Sequence, residues 1–258
     1  MSSETRPLLS LVIPAYNEGK ADRLPKSLKD IIAFVEAQDF SIEVVIVNNN
    51  STDNTLVIAE AAAADYPYIR ALTERTQGKG AAVRAGMLKA EGEYLFICDA
   101  DLSMPIEEVL KFLPPQADDY DIAIASREAP GSRRIGEPEI RHLMGRIFNF
   151  IVRVIAVRHL NDTQCGFKCF RREIAHQLFP LQTIDGWAFD VELLFIAQQR
   201  GYKIIEIPIT WYYREHSKIK PLSDSINMVM ETLRIRRNGW RGVYGKTAEK
   251  NRNRQPEA

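Results

Sequence analysis

The sequence predicts an α/β fold, one mostly parallel sheet with helices on both of its faces, and three observations carry that expectation. Short apolar runs alternate with stretches of helical periodicity through the first half of the chain. The runs are nearly continuous in Val, Ile and Leu rather than alternating, the pattern of strands buried on both faces. A length of 258 residues, 45% apolar and 26% charged, suffices for one α/β domain or two small ones around a substantial core.

Taken in order, strands are expected over 8–14, 42–47, 69–73, 94–98 and 121–125, and helices over 25–38, 55–65, 79–91 and 106–112. Asp53 or Asn54 supplies an N-cap for the second helix. The second half is less regular: a helix over 140–158, a strand over 167–170, a helix over 189–200, a strand over 203–209 and a helix over 224–237. A single domain is expected over 8–240, with a disordered basic tail over 246–258. In such a sheet, ligands bind at the carboxyl ends of the strands.

Composition narrows the class. Thirty-four basic residues balance 34 acidic ones, which argues against a nucleic-acid-binding protein. The three cysteines, Cys98, Cys165 and Cys169, form no Cys-x-x-Cys pair, so reduced thiols in a cytoplasmic protein are expected. No basic segment followed by an apolar run opens the chain, so no secretory leader is expected, and no run reaches the roughly 20 apolar residues that span a bilayer.

Three of the strand ends are polar: Ala15-Tyr16-Asn17-Glu18, Asn48-Asn49-Asn50-Ser51 and Asp99-Ala100-Asp101. Turn formation explains any one of them; three on one edge point to a site. Asp99 and Asp101 leave a buried strand on the same side, where such a pair can hold Mg²⁺ or Mn²⁺, ions that take one or two carboxylates and fill their other positions with water and substrate phosphates. Gln77-Gly78-Lys79-Gly80 opens a helix and could offer N–H groups and an ammonium to an anion; taken alone, it reads rather as a turn and cap. It is neither a Walker loop nor a dinucleotide loop, since Val83 stands where the third glycine should be. Asp190 and Glu192 open another helix, where the macrodipole alone favours acids. The four histidines have no telling partners and are assigned no role.

Joined in order, Leu11-Val12-Ile13-Pro14-Ala15-Tyr16-Asn17-Glu18, Asn48 through Asp53, Gly78-Lys79-Gly80 and Asp99-Ala100-Asp101-Leu102 resemble the successive motifs of the family 2 glycosyltransferases with the GT-A fold. In the second half, Ser126-Arg127, Arg141, Met144 through Asn149, Asp162-Thr163-Gln164-Cys165-Gly166-Phe167-Lys168, Gly186 through Glu192 and Ser217-Lys218 resemble the polyprenyl-phosphate sugar transferases, above all the dolichyl-phosphate β-glucosyltransferases. The resemblance implies a Rossmann-like GT-A fold whose irregular second half binds the acceptor, and inverting, metal-assisted transfer of glucose from UDP-glucose to a polyprenyl or dolichyl phosphate.

It also implies roles. Pro14, Tyr16, Glu18 and Asn49 would surround the nucleobase, with Lys79 in the same nucleotide site. Asp99 would hold nucleoside hydroxyls beside the metal, and Asp101 the metal on the diphosphate. Arg127, Arg141, Arg214 and Lys218 would face phosphates, which guanidinium groups bind bidentately; Arg133, Arg134 and Arg158 read as solvated charge. Asp101, Arg127 and Asp190 form the catalytic set, with Asp190 orienting sugar or acceptor, because a phosphate monoester near neutral pH is already largely dianionic and needs little help from a base. Two departures stand out. The family usually has Asp where Asn49 stands, and an exchange to Asp is expected to keep or tighten uridine binding. Ser103 stands where mannosyl relatives often place Gln. The alternatives are a GDP-mannose-dependent mannosyltransferase and a noncatalytic sugar-nucleotide-binding protein.

The segment 140–157 carries Arg141, His142, Arg146, Asn149 and Arg153 on one arc and Ile140, Leu143, Met144, Ile147, Phe148, Phe150, Ile151 and Val154 on the other. It reads either as a core-facing helix or as a peripheral dock on the cytoplasmic face of a membrane, with Phe148 and Ile151 as the expected anchors.

Overall fold

The structure, a computed structural model, describes residues 6–20, 23–214 and 221–245, without the side chains of 221–224. Lys218 and the 246–258 tail lie outside the described residues.

Seven strands form one sheet: β1 (Leu9–Ala15), β2 (Ile42–Asn48), β3 (Ile69–Thr73), β4 (Tyr94–Ile97), β5 (Ile122–Ser126), β7 (Lys168–Arg171) and β8 (Ile204–Pro208), in the order β3-β2-β1-β4-β7-β5-β8. A parallel ribbon of β6 (Arg133–Ile135) and β9 (Thr210–Tyr212) lies apart.

Alternating side chains of each strand feed two cores. Leu9, Leu11 and Ile13 of β1 with Ile42, Val44 and Ile46 of β2 meet α1 (Leu24–Glu36), α2 (Thr55–Asp65) and the 3₁₀ turn Ile106–Phe112 on one face. Val12, Val45 and Val47 meet α3 (Lys79–Lys89), α5 (Arg172–Leu178) and α6 (Phe189–Gln199) on the other. On α1, Leu24, Leu28, Ile31 and Phe34 recur at helical spacing and are buried, each stabilising by about 1.5–3 kcal/mol.

The sheet departs from the expectation in four places. β3 is an edge strand, buried only at Ile69. The segment 106–112 is a 3₁₀ turn, set between Pro105 and the Pro114-Pro115 pair. Neither the β6–β9 ribbon nor α5 was legible, because three-residue strands and a seven-residue helix are too short for a period to register. Most consequential for the site, β7 runs antiparallel between β4 and β5. Its first residue, Lys168, therefore pairs with Ile97 at the end of β4, and the loop 161–167 arrives at the edge where the parallel strands finish.

α4 (Glu139–Ile155) and α7 (Pro221–Trp240) pack on each other over this edge. Val152 is the only α4 residue that is fully buried.

Candidate active site

The loops after β1 and β2 hold one another. Asn17, in the left-handed region at φ 49°, takes the Thr52 N–H on Oδ1 at 2.8 Å and gives its own N–H to Ser51 Oγ at 3.0 Å. Asp53 accepts from the Thr55 hydroxyl, from Gly19 N at 2.9 Å and from Thr55 N at 3.0 Å, bonds that together hold its carboxyl below its usual range against the upward pull of burial. The α2 N-cap residue is Asn54, but the capping carboxylate is that of Asp53.

Asn49 lines the cleft, yet its amide is committed to the next loop. Nδ2 donates to Glu74 O at 3.2 Å and Thr76 O at 2.7 Å, and Oδ1 accepts Gly78 N–H at 2.8 Å. An Asp there would set a carboxylate against two carbonyl oxygens, so the ready exchange expected from sequence is not what this geometry supports.

The Gly78-Lys79-Gly80 turn is a packing device and not an anion cradle. Gly78 has φ +143°, and a Cβ on it would lie 2.1 Å from Asp185 O; one on Gly80 would lie 2.7 Å from Ile184 O. The Gly78 N–H goes to Asn49 and the Ala81 N–H to Asp185 O at 3.3 Å. What the turn delivers is the Lys79 ammonium, 2.6 Å from Asp99 Oδ1 and 5.5 Å from the centre of the Trp187 ring. Burial alone would lower its pKa; the carboxylates of Asp99, Asp190 and Asp101 outweigh that and raise it.

Asp99 and Asp101 flank a tight turn in which Leu102 has φ 44° and gives its N–H to Asp99 O at 3.2 Å. Asp101 Oδ1 accepts Ser103 N–H at 3.0 Å. Gly166 passes so close that a Cβ on it would lie 1.8 Å from Asp99 Oδ2. Among the described residues no three His, Cys, Asp or Glu side chains gather into a metal cage. An open site of one or two carboxylates facing a cleft is the donor set that Mg²⁺ or Mn²⁺ uses when substrate phosphates complete the shell, and these residues fit it.

Across the cleft, Asp190 opens α6, buried, 3.0 Å from the Lys168 ammonium; burial raises its carboxyl and the lysines 168 and 79 oppose the rise. Arg127 is clamped by Asp162 through Nε at 2.7 Å and Nη2 at 3.0 Å, and its plane lies 5.4 Å from the Trp211 ring. Burial pulls the Asp162 carboxyl up, but the Arg127 charge and hydrogen bonds win and hold it down to about 2. Glu206 of β8 fixes the same loop by accepting the N–H groups of Asn161 and Asp162. Arg141 lies 5.0 Å from the Tyr213 ring and, with Arg214, lines the cleft.

Pro14, Tyr16, Glu18, Asn49, Lys79, Asp99, Asp101, Arg127, Asp190, Arg141 and Arg214 thus all line one cleft of about 1400 Å³. Sequence reasoning missed three kinds of neighbour. Arg134, read as solvated, is held between Glu128 and Glu137 and lines the cleft; Arg133 and Arg158 are exposed as expected. Asp162 and Lys168 stand in a motif that gives them no role by itself, although a lysine within the apolar strand at 167–170 and an acid just before it are the available signal. Trp187, Trp211 and Tyr213 have no pattern of their own in sequence. From the charged end the cleft continues into an apolar trough between α4 and α7, lined by Met144, Ile147, Phe148, Ile151, Ile226 and Val229.

A mostly parallel sheet of this order, a carboxylate pair at the end of β4 and a cleft lined from both halves define a GT-A glycosyltransferase. The sequence profile of glycosyl transferase family 2 matches residues 10–179, and the chain belongs to that family. Among its curated relatives are dolichyl-phosphate β-glucosyltransferases: that of Drosophila melanogaster is 37% identical over 88% of this chain and 74% of its own, that of Homo sapiens 35% over the same shares, and that of Saccharomyces cerevisiae 34% over 92% and 76%. Among solved structures, glucosyl-3-phosphoglycerate synthase from Mycobacterium tuberculosis, in complex with Mn²⁺, UDP-glucose and phosphoglyceric acid, superposes with a TM-score of 0.62 at 18% identity, over 89% of this chain and 79% of that one.

Proposed function

We propose that this chain transfers glucose from UDP-glucose to a polyprenyl phosphate of the dolichyl type, with inversion. The observation that carries the acceptor assignment is the continuity of the cleft, from Asp101, Asp190 and Arg127 into the apolar trough between α4 and α7. A phosphate needs the first end, and a prenyl chain needs the second. The names of the relatives support the same sugar and acceptor.

In this reading Tyr16 and Pro14 pack on the uracil, Glu18 and Asn49 shape its pocket, and Asp99, held by Lys79, turns to the ribose. Mg²⁺ or Mn²⁺ at Asp101, with Asp99 beside it, supplies positive charge to the diphosphate when bound. An acceptor phosphate oxygen forms the new bond to the anomeric carbon while the bond to UDP breaks and UDP leaves with its electron pair. Arg127, Arg141 and Arg214, which line the cleft, balance the phosphate charge on both sides of that exchange. Asp190 orients the sugar, since the phosphate dianion needs no base.

Among the described residues no helix is long and apolar enough to cross a membrane. Docking at the cytoplasmic face of a membrane rests instead on α4 and α7. Leu143, Phe150 and Val154 of α4 and Ile226 and Met230 of α7 are exposed, Phe150 by 65%, beside exposed Arg146, Arg153, Arg234, Arg237 and Arg241. The anchors expected from sequence, Phe148 and Ile151, are half-buried and line the trough, so the docking test belongs to its outer face. Replacing Leu143 and Phe150 with Ser should leave the melting temperature unchanged and weaken binding to anionic vesicles by about tenfold or more. Unchanged co-sedimentation would remove the docking assignment.

A donor panel tests the chemistry. UDP-glucose should be turned over with a short polyprenyl phosphate, and NMR should show a β-linked glucosyl phosphate; preference for GDP-mannose, or an α-linked product, would overturn the reading.

A further inference from the structure

A lysine in the middle of a sheet is an expensive choice. Lys168 lies between β4 and β5, in register with Ile97 and Ile124, and is 1% exposed. Its ammonium must be paired there, because an isolated buried charge costs several kcal/mol. Stability alone gives no reason to keep it, since a buried ion pair is often matched or bettered by apolar side chains of similar volume.

Its partners explain it. Nζ is 3.0 Å from Asp190 Oδ1 and donates to Cys165 O at 2.5 Å. Asp190 lines the cleft, and Lys168 does not. Cys165 precedes Gly166, the residue that backs directly onto the Asp99 carboxylate. Beyond Asp190 stands Lys79 with Asp99, and on the other side of Lys168 the Asp162–Arg127 pair, so charges alternate across the floor from one wall of the cleft to the other.

We propose that Lys168 is a positioning residue of the transfer reaction: its buried ammonium, itself held by the Cys165 carbonyl, fixes the Asp190 carboxylate at the floor of the cleft. The inference rests on the proposed placement of Asp190 at the sugar.

A double-mutant cycle tests it, with kcat measured on UDP-glucose and a short polyprenyl phosphate, UDP binding by calorimetry, and folding by thermal melting. Lys168→Met should lower kcat by about 30-fold while UDP affinity moves less than about threefold, and Asp190→Asn should lower kcat comparably. The Lys168→Met/Asp190→Asn variant should be no slower than Asp190→Asn alone, because groups that act as a unit lose their effect once. If Lys168→Met costs the same factor in the Asp190→Asn background as in the parent, the lysine serves the fold only and the proposal fails. Should Lys168→Met not fold, the double variant, which buries no unpaired charge, must fold and match Asp190→Asn; failure on either count also overturns the proposal. Full activity in Asp190→Asn would instead sink the placement of Asp190, and a parent protein that turns over no nucleotide sugar would sink the proposed function itself.

Discussion

At the carboxyl ends of β1 and β2, polar side chains are tied to one another and to backbone: Asn17 to Thr52, Asp53 to Gly19, Asn49 to three groups of the 74–78 loop. On the outer face of α4 and α7, large apolar side chains stand in solvent instead, Leu233 by 46% and Val154 by 67%. The first region is complete as it stands, because polar groups withdrawn from water must be paired within the protein. The second is a surface that water alone does not suit, and the proposed docking on lipid would supply its missing contacts. A rigid donor half and an unfinished acceptor half are what the proposed transfer from a soluble nucleotide to a membrane-borne phosphate requires.

The pairing on the polar side can be broken most severely at Asp162. Asp162→Ala leaves the buried Arg127 charge without its clamp and should destabilise the fold by about 3–5 kcal/mol in urea unfolding. The parent should show the matching pH dependence. The Asp162 carboxyl is held down to about 2 in the folded state, below its unfolded value, so its contribution of about 2 kcal/mol is fully present above about pH 4 and drains away as pH falls toward 2. A variant lacking Asp162 should lose that slope.

Asp101→Asn probes function rather than fold. Its melting temperature should match the parent, and kcat should fall by about 100-fold or more, since the metal proposed at that carboxylate would supply several kcal/mol of charge stabilisation to the diphosphate. Near-parent kcat with divalent metal still required would place the metal elsewhere.

The smallest effect sharpens the contrast most. Asn49→Asp supplies the residue that the family resemblance leads one to expect, yet here it exchanges two amide donors for lone pairs facing Glu74 O and Thr76 O. UDP affinity and stability should both drop, by about 1–3 kcal/mol in the sum. Tighter UDP binding would show that the 74–78 loop rearranges freely and that the donor half is less rigid than described.

What the sequence made legible follows the same divide. The strands β1, β2, β4 and β5 and the carboxylates at their ends could be read because buried strands carry continuous apolar runs and the site residues sit immediately after them. The antiparallel course of β7 could not, since four residues of strand look alike in either direction, and with it went the roles of Lys168 and Asp162. Asn49 was placed correctly at the cleft, but its hydrogen bonds run to carbonyls of a loop 25 and 27 residues away, which no local pattern records. The amphipathic period of 140–157 was plain; whether its apolar arc met core or solvent depended on where α7 packed.

The measurement that bears most directly on the division between the halves is a comparison of acceptors at one fixed donor. With UDP-glucose and Mg²⁺ or Mn²⁺, kcat/KM for a polyprenyl phosphate should exceed that for phosphoglyceric acid, a ligand in the M. tuberculosis complex, by at least about 100-fold, the contribution of burying a few isoprenoid methylenes in the trough. Equal turnover of the two phosphates would mean that the trough between α4 and α7 takes no part in choosing the acceptor, and would contradict the account.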